Sequence, residues 1–277
     1  MKVAFLGPKG SFSHHVAQEA FPQADLVPYQ NITEVMKAYE GKEVDYSVVP
    51  VENSIEGSVH ETLDYLFHQA EIQAVAEIIQ PIKQQLLATS LDKPIEKVFS
   101  HPQALAQGKG YIRQHYPEAA STAYAARFVA EHPDQPFAAI APRTAAVEYG
   151  LQVVAQDIQE MEENFTRFWI LGQTPPALKL VKQEEKQSLA LTLPDNLPGA
   201  LYKALSTFAW RGIDLTKIES RPLKTALGEY FFIIDIDNER KELVDFAYQE
   251  LATLGITFKI LGSYPVFQIQ DYRLEQR

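Results

Sequence analysis

KVAFLGPKGSFSHHVAQEAF, Lys2 to Phe21, decides the architecture. Lys2–Gly7 is short and apolar and reads as a buried strand. GPKGS, Gly7 to Ser11, reads as a turn. From Ser11 or Ser13 the pattern becomes that of a helix. The same unit then recurs along the chain. Leu26–Tyr29 is a strand, and Asn31 is placed to cap a helix that ends at Gly41. Asp45–Glu52 is a strand, Asn53–Ser58 a loop, and VHETLDYLF a helix. Strand–helix alternation of this kind predicts a parallel sheet with crossover helices. Between Glu71 and Ser90 it breaks. Two extended apolar runs flank Pro81 with no helix between them, which suits strands passing from one lobe to another. Alternation resumes with a strand at Val98–His101, a helix from Pro102 and a helix over YAARFVAEH. The strand FAAIA and a helix with Pro142 at its first position follow, and the chain returns through VVAQDI.

Farther on, residues 173–187, QTPPALKLVKQEEKQ, are rich in proline and charge and are expected to form a domain linker. Beyond it the order is strand (Ser188–Leu193), helix (Pro198–Trp210), strand (Leu215–Arg221), strand (Glu229–Ile236), helix (Glu239–Leu254), strand (Thr257–Tyr264). That is a ferredoxin-like βαββαβ unit. The expected class is α/β, with a two-lobed domain over residues 1–176 and a smaller βαββαβ domain over 187–270. Crossings between the lobes are expected near 75–90 and 155–170.

The chain has 277 residues and a formal net charge of −11, with no cysteine. Residues 177–277 hold 13 Lys and Arg against 14 Asp and Glu, so the acidity belongs to the first domain. A nucleic-acid binder would carry a basic patch or stripe, which argues against that class. Without cysteine, disulfides, thiolate metal sites and cysteine nucleophiles are excluded. No apolar run reaches membrane-spanning length, and the chain opens directly into a strand, so a soluble cytoplasmic protein is expected.

Four polar loops share one design: GPKGS, ENSIEGS, SHPQ and Ser121–Thr122. Each follows a strand and precedes a helix. In a parallel α/β sheet such loops lie at the carboxyl ends of the strands, where ligands bind. Helix starts there present backbone N–H groups and a partial positive charge. Ser11, Ser100 and Ser121 also suit plain helix caps. Lys9 and Arg167 are candidate local cations, and each equally suits a surface position or a structural ion pair. GPKG is not GxGxxG and there is no P-loop, so nucleotide binding has little support. His14, His15 and Glu19 lack a third spaced ligand and read as a solvated helix face. Ser11, His101 and Asp157 have no nucleophile-elbow context.

EMEENFTRFWIL, Glu160 to Leu171, runs from an acidic head into a strand. Thr166 and Phe168 share one face, Arg167 and Trp169 the other. One hydroxyl between aromatic rings suits a small aromatic-like substrate that needs one hydrogen-bond donor, and the stretch equally suits an ordinary sheet strand with Thr as a β-former. With this stretch in place, the chain resembles the prephenate dehydratase family over nearly its whole length. The resemblance rests on Glu162–Phe168 with its Thr-Arg-Phe run, on Glu52-Asn53-Ser54 with Gly57, and on Gly7–Ser13. It rests also on Ser100-His101-Pro102-Gln103 with Gln107. The C-terminal part is similar to the ACT regulatory module, through Gly199-Ala200-Leu201 and Glu219-Ser220-Arg221-Pro222.

The resemblance implies decarboxylation and dehydration of prephenate to phenylpyruvate without metal or organic cofactor, by a monofunctional enzyme with a periplasmic-binding-protein-like catalytic domain. It implies Thr166 as the catalytic residue. Ser11, Asn53, Ser54, Ser100, Gln103, Gln107, Ser121, Thr122, Arg167 and Phe168 would bind substrate. L-Phenylalanine would bind as feedback effector at Asn196, Leu197, Pro198, Gly199, Ala200 and Leu201 and at Glu219, Ser220, Arg221 and Pro222, in a homodimer or homotetramer formed through the ACT domain. Arogenate, the aminated counterpart, is the alternative substrate. A two-lobed small-molecule sensor without turnover is the alternative from another class.

Overall fold

A computed structural model describes residues 1–100, 119–121, 125–193, 198–223 and 230–270. Strand β1 (Lys2–Leu6) buries Val3, Ala4 and Phe5 completely, as a strand covered on both faces does. It pairs in parallel with β2 (Asp25–Tyr29) on one side and β3 (Tyr46–Asn53) on the other. Helix α1 (Phe12–Ala20) joins β1 to β2, and α2 (Ile32–Glu40) joins β2 to β3. Asn31 caps α2 as its sequence predicts, and of the two candidates Ser11 and Ser13 it is Ser11 that caps α1. Ser11 Oγ accepts from the His14 N–H, and Asn31 Oδ1 accepts from the Glu34 N–H at 2.8 Å. A two-residue strand, β4 (Gly57–Ser58), folds back antiparallel on the end of β3 and leads to α3 (His60–His68).

β5 (Gln73–Pro81) and β6 (Gln85–Ala88) are the two runs around Pro81. β6 enters a second, five-stranded sheet of order β10-β6-β9-β7-β8. Its other strands are β7 (Lys97–Ser100), β8 (Ala119–Ser121), β9 (Phe137–Ala141) and β10 (Gln152–Ala155). β7 runs parallel to β8 and β9, whereas β6 runs antiparallel to β9 and β10. Alternation along β6 sends Leu86 into one apolar cluster and Leu87 into another, on opposite faces. The second cluster holds the buried faces of α4 (Ala125–Glu131) and α5 (Arg143–Tyr149). Pro142 is the residue before α5, with φ −63 and ψ 158, and not its first helical residue. The segment expected to form a helix from Pro102 lies outside the described residues.

β11 (Phe165–Gly172) precedes the C-terminal strands β12 (Val181–Thr192), β13 (Leu215–Pro222), β14 (Tyr230–Asp237) and β15 (Thr257–Gln268). Their order β13-β14-β12-β15, all antiparallel, is the ferredoxin-like order. Helices α6 (Ala200–Ala209) and α7 (Lys241–Thr253) cover a core that includes Leu189, Leu191, Phe208, Ile234, Ile236 and Leu251. The expected linker over 173–187 is too long. β12 begins at Val181 and pairs with β15 from Val181↔Gln268 to Thr192↔Thr257. Its charges hid it. Lys182 pairs with Glu185 at 2.6 Å and Lys186 with Glu184 at 2.8 Å, while the backbone ladder supplies the strand.

The chain divides into two compact units. One comprises Met1–His60 and Ile79–Phe168, with Ile269 returning to it. The other comprises Glu61–Ile78 and Trp169–Gln268. α3 and the first part of β5 therefore group with the C-terminal strands, which composition did not suggest. Within that second unit Phe67 stacks on Phe231 at 3.8 Å. The Lys259 ammonium caps the end of α3, donating to the carbonyls of Leu66, Phe67 and Ala70. Burial lowers its pKa, and Glu71 opposes that. No helix among the described residues is long and apolar enough to cross a membrane.

Candidate active site

The first unit holds a cavity of about 530 Å³ between its two sheets. On one side lie the turn Gly7–Ser13 and Asn53. Ile82, Gln84 and Thr166 line it where the chain passes between the lobes. Ser100, Ala125–Arg127, Ile140–Pro142, Ala145 and Tyr149 lie opposite. Of the expected site residues, Ser11, Asn53, Ser100 and Thr166 line this one cavity, although more than 150 residues separate the first from the last.

Thr166 is tied to Asn53. The Asn53 side-chain amide donates to Thr166 Oγ1 at 2.9 Å, to Asn164 Oδ1 at 2.8 Å and to the Phe165 carbonyl at 3.2 Å. Its Oδ1 accepts from the N–H groups of Ile55 and Glu56. The loop thus fixes which end of the amide faces β11. With its oxygen already accepting from Asn53, the Thr166 hydroxyl keeps its hydrogen for a donor role. Ser54 secures the same junction. Its Oγ accepts from the Phe165 N–H at 3.0 Å, and the Ser54 N–H donates to the Phe165 carbonyl at 2.9 Å.

Three expected substrate contacts do not line the cavity. Ser54 is used in the junction just described. Arg167 points to the other face of β11 and pairs with Glu52 at 2.7 Å, so the structural reading of this cation is the one observed. Phe168 is 2% exposed and belongs to the core. Strand alternation explains the split between Thr166 and Arg167. Phe168 shares the face of Thr166 and lies one pleat deeper. Gln103, Gln107 and Thr122 lie outside the described residues, and Ser121 is described only as a backbone position in β8, opposite Ser100. Ser100 is 2% exposed, and its hydroxyl donates to the Ile140 carbonyl at 2.6 Å, which ties β7 to β9.

Sequence reasoning missed Gln84, Arg127, Ala141, Pro142 and Tyr149 as cavity residues. Nothing local marks Gln84 or Tyr149; only the packing of one lobe on the other brings them in. Ala141-Pro142 could have been found, since it too is a strand-to-helix junction. His14 was misread. It is 3% exposed, stacks on Phe5 at 4.9 Å and accepts the Gly10 N–H at Nδ1. Burial lowers its pKa, Glu148 opposes that, and Lys9 and His15 reinforce it. Burial lowers the pKa of His15 as well, with Glu19 opposing.

In the second unit, Gly199 stands before α6 with φ +71, and a Cβ there would meet nothing within 4 Å. Ala200 is buried and Leu201 half-buried. Asn196 and Leu197 lie outside the described residues. β13 is the edge strand, with Glu219 and Arg221 on its covered face and Ser220 and Pro222 exposed. Arg221 pairs with Asp64 of α3 at 2.9 Å, and Glu219 lies 3.5 Å from Lys217.

Two lobes of α/β structure place strand-end turns and a helix start around a cavity that mixes hydroxyls and side-chain amides with apolar walls, the architecture of a two-lobed α/β protein with a small-molecule-sized cleft. The chain belongs to the prephenate dehydratase family, whose profile matches residues 3–176. The prephenate dehydratase of Lactococcus lactis subsp. lactis (strain IL1403) is 51% identical over 278 residues, 98% of this chain and 100% of its own. The X-ray structure of prephenate dehydratase from Streptococcus mutans is 50% identical with a TM-score of 0.66, covering 96% of this chain and 99% of that one. A structure of prephenate dehydratase from Arthrobacter aurescens in complex with L-Phe is 32% identical with a TM-score of 0.78, covering 95% and 90%.

Proposed function

We propose that the inter-lobe cavity converts prephenate to phenylpyruvate. The C1–carboxylate bond breaks and releases CO2. Its electron pair enters the ring, and the C4–oxygen bond breaks to complete the aromatic system. The hydroxyl leaves as hydroxide and is collected as water with a proton from solvent. Aromatisation makes the reaction strongly downhill, so the protein has to supply a pose and a hydrogen bond at the leaving oxygen. A threonine hydroxyl is too weak an acid to give up its proton outright, but a held hydroxyl is a good donor. The backbone N–H groups at the start of α1, with Lys9, suit the two carboxylates, and positioning itself lowers the barrier.

The observation that carries this reading is the Asn53–Thr166 contact inside the cavity, which leaves the hydroxyl hydrogen for substrate. Thr166→Val keeps the shape and removes the donor. Turnover should fall by about 10²–10³ with the melting temperature little changed. A variant within a few-fold of wild type would reject the assignment. Running the assay on prephenate and on arogenate separates the two substrates.

The two-lobed domain is read as periplasmic-binding-protein-like, and the ferredoxin-like part as an ACT module that takes L-phenylalanine as a feedback effector. The strand order, the open space over Gly199 and the L-Phe complex of the Arthrobacter relative support that reading. An edge strand such as β13 favours pairing with a second copy, so a homodimer or homotetramer is expected.

A further inference from the structure

The turn that would face the substrate's carboxylates is held by a histidine that the chemistry above does not use. Gly10 has φ +77, and its N–H donates to His14 Nδ1 at 2.9 Å. His14 lies one helical turn on, buried against Phe5, and its own N–H donates to Ser11 Oγ. The opposite lobe grips the same turn. The Tyr149 hydroxyl donates to the Lys9 carbonyl at 2.7 Å, and the Thr144 hydroxyl approaches the Gly10 carbonyl at 3.4 Å. A Cβ on Gly10 would meet Ala145 Cα at 3.0 Å. The turn therefore has no slack, and one contact, to His14, fixes the direction of its amide.

We infer that His14 is a positioning residue for this reaction: its unprotonated Nδ1 holds the Gly10 amide and the turn Lys9–Ser11 in the geometry that binds the dianionic substrate, and protonation of the ring releases it. The inference rests on the cavity being the prephenate site. As an acceptor at Nδ1, the neutral ring carries its hydrogen on Nε2. A proton added in acid goes to Nδ1 and meets the Gly10 N–H donor to donor, so the contact is lost. The charged and titratable groups facing His14 are Lys9 from the turn, His15 from its own helix and Glu148 from α5; β1 offers only the Phe5 ring. Burial, Lys9 and His15 disfavour the charged ring and Glu148 favours it, so the transition falls below the ordinary histidine value of 6.5. The turn is intact above the transition and released below it.

His14→Phe keeps a stacked ring and removes the acceptor. His14→Asn places an amide oxygen close to where Nδ1 stood and does not titrate. kcat and KM for prephenate are measured from about pH 5 to pH 8 on wild type, both variants and Thr166→Val, with thermal melts to confirm folding. Expected for His14→Phe at neutral pH is a KM raised about two- to tenfold, as loss of one hydrogen bond gives, with a smaller change in kcat. Wild type should lose kcat/KM on the acid side through KM. His14→Asn should hold kcat/KM near the wild-type value and lack that acid limb. If His14→Phe keeps the wild-type KM, or His14→Asn keeps the acid limb, the role of His14 is overturned. Full turnover by Thr166→Val instead removes the cavity as the active site, and the inference with it.

Discussion

Asn53 gives the Thr166 hydroxyl its direction. Its amide has two hydrogens for three acceptors, and two backbone N–H groups hold its oxygen, so it cannot turn over without losing contacts at both ends. Asn53→Ala frees Thr166 to turn its hydrogen toward a backbone carbonyl. Turnover should fall about tenfold, the equivalent of one hydrogen bond of about 1.4 kcal/mol. The two residues act on one oxygen, so their effects should not add. The double variant Asn53→Ala/Thr166→Val should be no slower than Thr166→Val alone. A multiplicative loss in that four-enzyme comparison would mean that Asn53 meets substrate independently of Thr166.

At the scale of elements, local capping and close approach decide where strands and helices can lie. Ser11 and Asn31 cap their helices as short polar residues do, and this much needed no tertiary partner. Gly262 in β15 is a different case. A Cβ there would come within 2.6 Å of both the Ala74 carbonyl oxygen and the Ala74 Cβ in β5. The approach is backbone against backbone, and neither strand can give way without breaking its ladder. Gly262→Ala should cost about 1–3 kcal/mol as overpacking does, read as a lower urea midpoint with an unchanged slope. An unaltered midpoint would mean that β15 and β5 have room to separate. The same unit is also held by Arg221 on Asp64, both largely buried, and by the stacked pair Phe67–Phe231.

At the scale of the whole molecule, the proposed substrate cavity in one unit and the proposed effector site in the ferredoxin-like part of the other predict coupling between two ligands. Coupling free energies of this kind are typically about 1–3 kcal/mol. Gly199 provides the test. Its φ of +71 suits glycine, and a β-branched residue there is strained. Calorimetry on wild type should show heat on adding L-phenylalanine, and turnover should fall in parallel. Gly199→Val should lose both and keep its basal turnover. Wild type with neither heat nor inhibition at millimolar phenylalanine would end the regulatory reading and leave the catalytic one standing.

The sequence by itself determined the order of the described helices and main strands, the helix cap at Asn31, the βαββαβ unit and the residues on which the family resemblance rests, and it narrowed the first cap to Ser11 or Ser13. These are local signals. Apolar period, capping chemistry and turn residues act over a few positions and need no partner far along the chain. Only the tertiary structure decided the rest. It chose which face of β11 meets the cavity and gave Arg167 its partner Glu52, and it made a strand of the charged stretch from Val181. It moved α3 into company with the C-terminal strands, and it buried His14 beneath the turn it holds. Each depends on what a side chain meets from a distant part of the chain. Charge and spacing alone cannot say whether a lysine, an arginine or a histidine will face water, a partner or a ligand.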